Sequence, residues 1–197
     1  MLSTGRLRLD TDLGSAVKDA HIVQEQVPEN TALKQKLWFE IEKYASPTCL
    51  FWSSTSGIPS STQSLHMTCG ARLLVAHPIN PPHVMPLIEI APSAAADPAI
   101  VTRTVEFWKA LGKVPVVLKK EVTGFVANRL AYALFREAIY LVDEGVVDVE
   151  DIDRMMVNSM PVMVGVNAQG LPTVAGQRLP PLRIWRRGSD ECRLRTI

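Results

Sequence analysis

Two rhythms of apolar and polar positions alternate along the first part of the chain. Short continuous apolar runs read as buried strands, and stretches whose apolar residues recur at three and four read as helices facing a core. Ala20 to Gln24 is a short strand that stops before Pro28, and Asn30 to Ala45 is a helix with Leu33, Leu37, Trp38 and Ile41 on one face. Cys49 to Trp52 is a second strand, running into the small polar loop Ser53 to Gly57; Ser60 to Leu65 is a short helix. Leu73 to Ala76 leads a third strand to His77, and Leu87 to Ile90 is a fourth, with Glu89 inside it. Asp97-Pro98 opens a helix, the aspartate as cap and the proline in the first turn. Val101, Val105, Trp108 and Leu111 line one face, and Gly112 stops it. Val114 to Leu118 is the last strand. Strands alternating with helices predict an α/β fold with a parallel sheet.

The rhythm changes after Lys120. Gly124 to Glu144 predicts one long helix with apolar Val126, Leu130, Leu134, Ala138 and Leu141, stopped by Gly145, and Asp148 caps another through Met156. Two helices with no strand between them mark the start of an all-helical region. From Asn158 onward Pro161, Pro172, Pro180 and Pro181 interrupt every candidate helix. Arg178, Arg183, Arg186, Arg187, Arg193 and Arg195 crowd a lysine-free tail, which predicts a solvated segment. The division expected is therefore 1–119, 120–157 and 158–197.

Composition removes some alternatives. A net charge of +1 and a hydrophobic fraction of 47% describe an ordinary globular balance, with no charge excess pointing to nucleic acid. No run approaches the roughly 20 apolar residues of a spanning helix, and Met1 to Asp12 has no apolar core of a secretory signal. Cys49, Cys69 and Cys192 are scattered and odd in number, which fits reduced thiols and a cytoplasmic setting better than a disulfide framework.

The candidate chemistry centres on His77 and Glu89. A glutamate within an apolar strand is costly unless a donor or cation meets it, and His77 is the obvious partner. A carboxylate that holds an imidazole fixes its tautomer and equips it as a general base. The same pattern also fits a Glu89 that caps a nearby backbone beside a His77 that only packs. Ser56, His77 and Glu89 could be read as a hydrolase triad, but Ser54-Thr55-Ser56-Gly57-Ile58 lacks the G-x-S-x-G elbow. His66, Cys69, His77 and His83 fit no standard metal-ligand spacing.

Four segments together resemble the NAD-dependent L-3-hydroxyacyl-CoA dehydrogenase family over about Ala20 to Met156: Pro28-Glu29-Asn30 with Lys34, the serine-rich Ser53 to Ser56, the His77-Pro78-Ile79-Asn80-Pro81-Pro82 strand pair through Glu89, and Gly124-Phe125-Val126-Ala127-Asn128-Arg129. The double proline is more similar to the lambda-crystallin (L-gulonate 3-dehydrogenase) branch. The resemblance implies an incomplete Rossmann-type NAD-binding domain followed by the start of an all-α C-terminal domain. It implies oxidation of a 3-hydroxy acid or 3-hydroxyacyl-CoA to the 3-keto product, with His77 as base, Glu89 orienting it, and Ser56 and Asn128 holding the reacting oxygen. Glu29, Lys34, Ser56 and Asn80 would lie along the cofactor. Each residue also has a plainer reading: Ser56 and Asn80 as turn residues, Asn128 as a local cap, Lys34 as one more charge on a solvated face.

The chain departs from that pattern at both ends. The G-x-G-x-x-G loop that holds a pyrophosphate is absent, since Gly5 and Gly14 are isolated. The acidic residue for the adenosine ribose is missing as well. The tail matches no helix of the family and reads like a replaced terminus. These departures predict weak NAD binding, slow or no turnover and an exposed strand edge. They keep a non-catalytic relative with a structural or interaction role in view, and leave homodimer formation open.

Overall fold

A computed structural model describes residues 7–158; the Arg- and Pro-rich tail lies, past Asn158, outside the described residues. The chain divides into two compact units, Met1–Asp148 and Val149–Ile197. In the first, a short helix α1 (Leu13–Val17) precedes β1 (Ile22–Glu25), α2 (Thr31–Tyr44), β2 (Leu50–Ser53), the single turn α3 (Ser60–Gln63), β3 (Leu73–Pro78), β4 (Leu87–Pro92), α4 (Pro98–Ala110), β5 (Val114–Val117) and α5 (Ala127–Asp143). The second holds α6 (Val149–Asn158). The five strands form one sheet in the order β1-β2-β3-β4-β5.

This is the expected Rossmann-type α/β arrangement, with one correction. The sheet is mixed, not parallel: β1–β2, β2–β3 and β4–β5 run parallel, but β3 and β4 are antiparallel. The reason lies in the link between them. Ile79 to Pro86 is too short for a crossover, which takes a dozen residues or more, so the chain has to turn back beside itself.

Alternation along the strands sorts side chains onto two faces. Leu50, Trp52, Leu74, Ala76, Ile88 and Ile90 pack under Ile100 and Trp108 of α4. Phe51, Leu73 and Cys49 pack under Trp38 and Ile41 of α2. On the α2 face, Val75 and Ala91 meet Leu118 and Phe125 in a third apolar cluster.

The helices start and stop largely where their signals stand. The Asn30 side chain accepts from Leu33 N–H, and Asp97 from Ala99 N–H. Gly112 follows α4 at φ +73° and Gly145 follows α5 at +67°, the left-handed conformation that glycine adopts without penalty. Which face is buried differs in detail. Lys34 joins Trp38 and Ile41 inside while Leu33 is exposed, and on α4 Ile100, Thr104 and Trp108 are buried while Leu111 is exposed. The long helix begins three residues later than predicted, because Gly124 and Phe125 are left-handed, at φ +76° and +47°. No residue of α5 is buried.

Candidate active site

Parallel sheets gather functional groups outside the carboxyl ends of their strands. Glu25, Ser53 and His77 stand at or next to those ends in β1, β2 and β3. Alternation puts all three on the face that carries Phe51 and Val75.

His77 and Glu89 are register partners across the antiparallel β3–β4 pair. His77 Nδ1 lies 3.0 Å from Glu89 Oε2, and both side chains are buried. The other carboxylate oxygen, Glu89 Oε1, accepts from Val126 N–H at 2.9 Å and Ala127 N–H at 2.8 Å. The two readings of Glu89 are thus both realised, since it holds the imidazole and also caps the first turn of α5. Burial by itself pushes the Glu89 carboxyl up. The hydrogen bond with His77, those from the Ala127 and Val126 amides, and the charge of His77 outweigh it, so the net shift is downward. The ring of His77 rests against Phe125, centroids 5.6 Å apart.

The backbone at Gly124-Phe125 makes this possible. A non-glycine residue at φ +47° costs about 1–2 kcal/mol, and full burial of Phe125 among Val75, Ala91 and Leu118 offsets it. The turn aims the next two amides at Glu89. Gly124 N–H also donates to Gly57 O at 3.1 Å, and Asn128 Nδ2 donates to Ser56 O at 2.8 Å. The serine loop and the start of α5 are therefore tied together twice.

A second network holds the loop from below. Lys34, 1% exposed, places its ammonium 2.7 and 2.9 Å from the two oxygens of Glu25, and also donates to Val27 O. Glu29 Oε2 stands 3.3 Å from the same ammonium. Its Oε1 accepts from the Thr55 hydroxyl at 2.5 Å and Ser56 N–H at 2.8 Å. Burial pushes the Glu29 carboxyl up, but the Thr55 hydroxyl, the Ser56 amide and Lys34 lower it further than burial raises it.

Of the residues singled out in the sequence, the structure joins His77 with Glu89, Ser56 with Asn128 and Glu29, and Glu29 with Lys34. Asn80 is exposed in the turn after β3. Lys34 is not a solvated charge. Among the described residues no hydrogen bond joins the Ser56 hydroxyl to His77, and no cluster of His, Cys, Asp or Glu could hold a metal ion. No described helix is long and apolar enough to cross a membrane.

Glu25, Ser53 and Thr55 were not anticipated. The rule that flagged Glu89 would have found Glu25: it is a carboxylate at the end of the short strand β1, and it too needs a buried donor.

Glu29, half open to solvent at 45%, and the exposed Ser56 form a polar rim above the strand ends. No described loop supplies a glycine cradle for a pyrophosphate. Among the described residues the glycines with positive φ are Gly112, Gly124 and Gly145; only Gly124 lies between a strand and the helix that follows it, β5 and α5, and it stands there without the further glycines of a G-x-G-x-x-G loop.

Residues 3–122 match the model of the "3-hydroxyacyl-CoA dehydrogenase, NAD binding domain", and residues 124–168 that of the "3-hydroxyacyl-CoA dehydrogenase, C-terminal domain". The chain is 42% identical over 146 residues to a lambda-crystallin homolog of Bos taurus, covering 74% of this chain and 46% of that one. It is 41% identical over 139 residues to an L-carnitine dehydrogenase of Oceanobacillus iheyensis, covering 71% and 45%. Among solved structures, an NAD+-dependent 5-formyl-3-hydroxy-2-methylpyridine 4-carboxylic acid 5-dehydrogenase superposes with a TM-score of 0.77 at 37% identity, covering 82% of this chain and 52% of that one. The chain spans about half the length of the curated relatives it matches.

Proposed function

The chain belongs to the 3-hydroxyacyl-CoA dehydrogenase family, and on that premise we propose that it carries the reacting half of an NAD-dependent 3-hydroxy-acid dehydrogenase. The observation that supports this most is the buried His77–Glu89 pair, with its carboxylate anchored to the start of α5.

Nδ1 of His77 faces Glu89, which leaves Nε2 as the nitrogen that takes the substrate's hydroxyl proton. Glu89 stabilises the imidazolium that results, and its bonds to Val126 and Ala127 keep it ionised and still. As the hydroxyl proton leaves, charge grows on the substrate oxygen. The Ser56 hydroxyl and the Asn128 amide are the donors assigned to it, and fixed donors aimed at developing charge lower a barrier more than mobile water does. When bound, NAD supplies the hydride acceptor, so the protein's part is to hold, orient and deprotonate. Glu29, Ser56 and Asn80 would lie along its nicotinamide end, with Lys34 acting from behind through Glu29. The substrate class is a 3-hydroxy acid or its CoA ester, and its oxidation gives the 3-keto product.

The second reading is a non-catalytic relative, favoured by the lack of a glycine cradle. Calorimetry with NAD+ and NADH separates the two, followed by turnover assays with 3-hydroxybutyryl-CoA, L-gulonate and L-carnitine. The dehydrogenase reading expects measurable cofactor binding that survives His77→Ala, and turnover that does not. No binding at saturating cofactor would discard it for this chain.

A further inference from the structure

The buried network under the serine loop has a part that the reaction does not use directly. Glu25 touches neither His77 nor the exposed rim, yet three donors converge on its carboxylate with four hydrogen bonds. Lys34 reaches both oxygens, the Ser53 hydroxyl donates to Oε2 at 2.6 Å, and Val27 N–H donates to Oε1 at 2.6 Å. Its side chain has no solvent exposure and that of Lys34 has 1%. Replacing such a buried pair by apolar side chains of similar volume is often neutral or stabilising, so burial alone gives little reason for charges here.

The connections supply one. Two carboxylates share one ammonium: Glu25 from below at 2.7 Å and Glu29 from above at 3.3 Å. Glu29 in turn fixes Thr55 and Ser56. Thr55 Oγ1 accepts from Gly57 N–H at 3.2 Å and Ile58 N–H at 3.0 Å, so the loop folds around that hydroxyl. Ser53 links Glu25 to the same loop directly, its Oγ accepting from Thr55 N–H at 3.3 Å. We infer that Glu25 is the positioning residue of the Ser56 loop: it anchors Lys34 and Ser53, and through Glu29 and Thr55 sets where Ser56 stands relative to Asn128. This rests on the proposed dehydrogenase reading only for its consequence in turnover. The positioning itself is a property of the folded chain.

Amide hydrogen exchange tests it without any cofactor. In Glu25→Gln the Ser56 and Gly57 amides should exchange about tenfold faster or more, while the Val126 and Ala127 amides, held by Glu89, keep their rates. A uniform rise at all four would mean global destabilisation and would overturn the inference, as would an unchanged Ser56. If Glu25→Gln does not fold, Ser53→Ala removes one of the three donors, and the same local pattern is expected from it. Where the chain turns over, kcat of Glu25→Gln should fall by about tenfold to a hundredfold. That loss should vanish in a Ser56→Ala background, whereas a merely structural defect would persist there. A chain that turns over nothing but shows the local exchange pattern refutes the dehydrogenase reading and leaves the positioning role standing.

Discussion

Asn128 donates its side-chain amide to the carbonyl oxygen of Ser56 at 2.8 Å, across 72 residues of sequence. One residue opens the long helix and the other lies in the loop after β2, so the bond fixes the two proposed oxygen-binding groups as a unit. Asn128→Ala should therefore do more than delete one donor, because the loop loses a tether. A fall in kcat of about a hundredfold or more is expected. Steady-state kinetics check it, and a change confined to KM would contradict the assignment.

Glu89→Gln keeps the shape of the side chain and removes its charge. The imidazolium formed at His77 then has no counter-charge, and kcat/KM should fall by about 10²–10⁴-fold. Binding of NADH should change little, which calorimetry on the same variant measures.

The depressed Glu89 and Glu29 carboxyls make stability depend on pH. A carboxyl whose folded pKa lies below its ordinary value of 4.5 contributes stability above that pH and loses it as pH falls through the folded value. The thermal midpoint should thus drop steadily below about pH 4.5. Glu89→Gln should flatten part of that slope, and a slope identical to the parent's would rule Glu89 out as a contributor.

Lys34→Met removes the charge that Glu25 depends on in the interior. Stranding a buried carboxylate costs about 3–5 kcal/mol. Adding Glu25→Leu should recover most of it, since the only carboxylate then without its ammonium is the half-exposed Glu29. Urea unfolding of the two single variants and the double reads the coupling directly.

Gly124→Ala places a side chain at φ +76°. Space is not the obstacle, because the added carbon would stand 3.6 Å from Arg129 Cγ, an ordinary contact. The backbone conformation is, at about 1–2 kcal/mol. If the turn relaxes to relieve it, the Val126 and Ala127 amides leave Glu89, and their exchange should quicken alongside the loss of stability.

Much of this site was legible in the chain as written. The apolar runs, the capping Asp97 and the stop at Gly112 place all five strands and both covering helices. A charged residue inside an apolar strand declares its need for a partner, which is why the sequence by itself pairs Glu89 with His77. Lys34 shows where such reasoning stops. A lysine in the first turn of a helix reads as solvated, and only the approach of β1 puts Glu25 against it. The direction of β4 was misread because strand–helix alternation carries no information about one short link.

What the sequence by itself determined is local: periodicity, caps and turn residues act over a few positions, and family motifs keep their order along the chain. The tertiary structure alone decided which distant groups share a carboxylate. Glu89 serves His77 and the start of α5 at once, and Lys34 sits between two glutamates. Both depend on register and on the left-handed turn at Gly124-Phe125, since hydrogen bonds reach only about 3 Å and no spacing along the chain specifies contacts that short between separate elements.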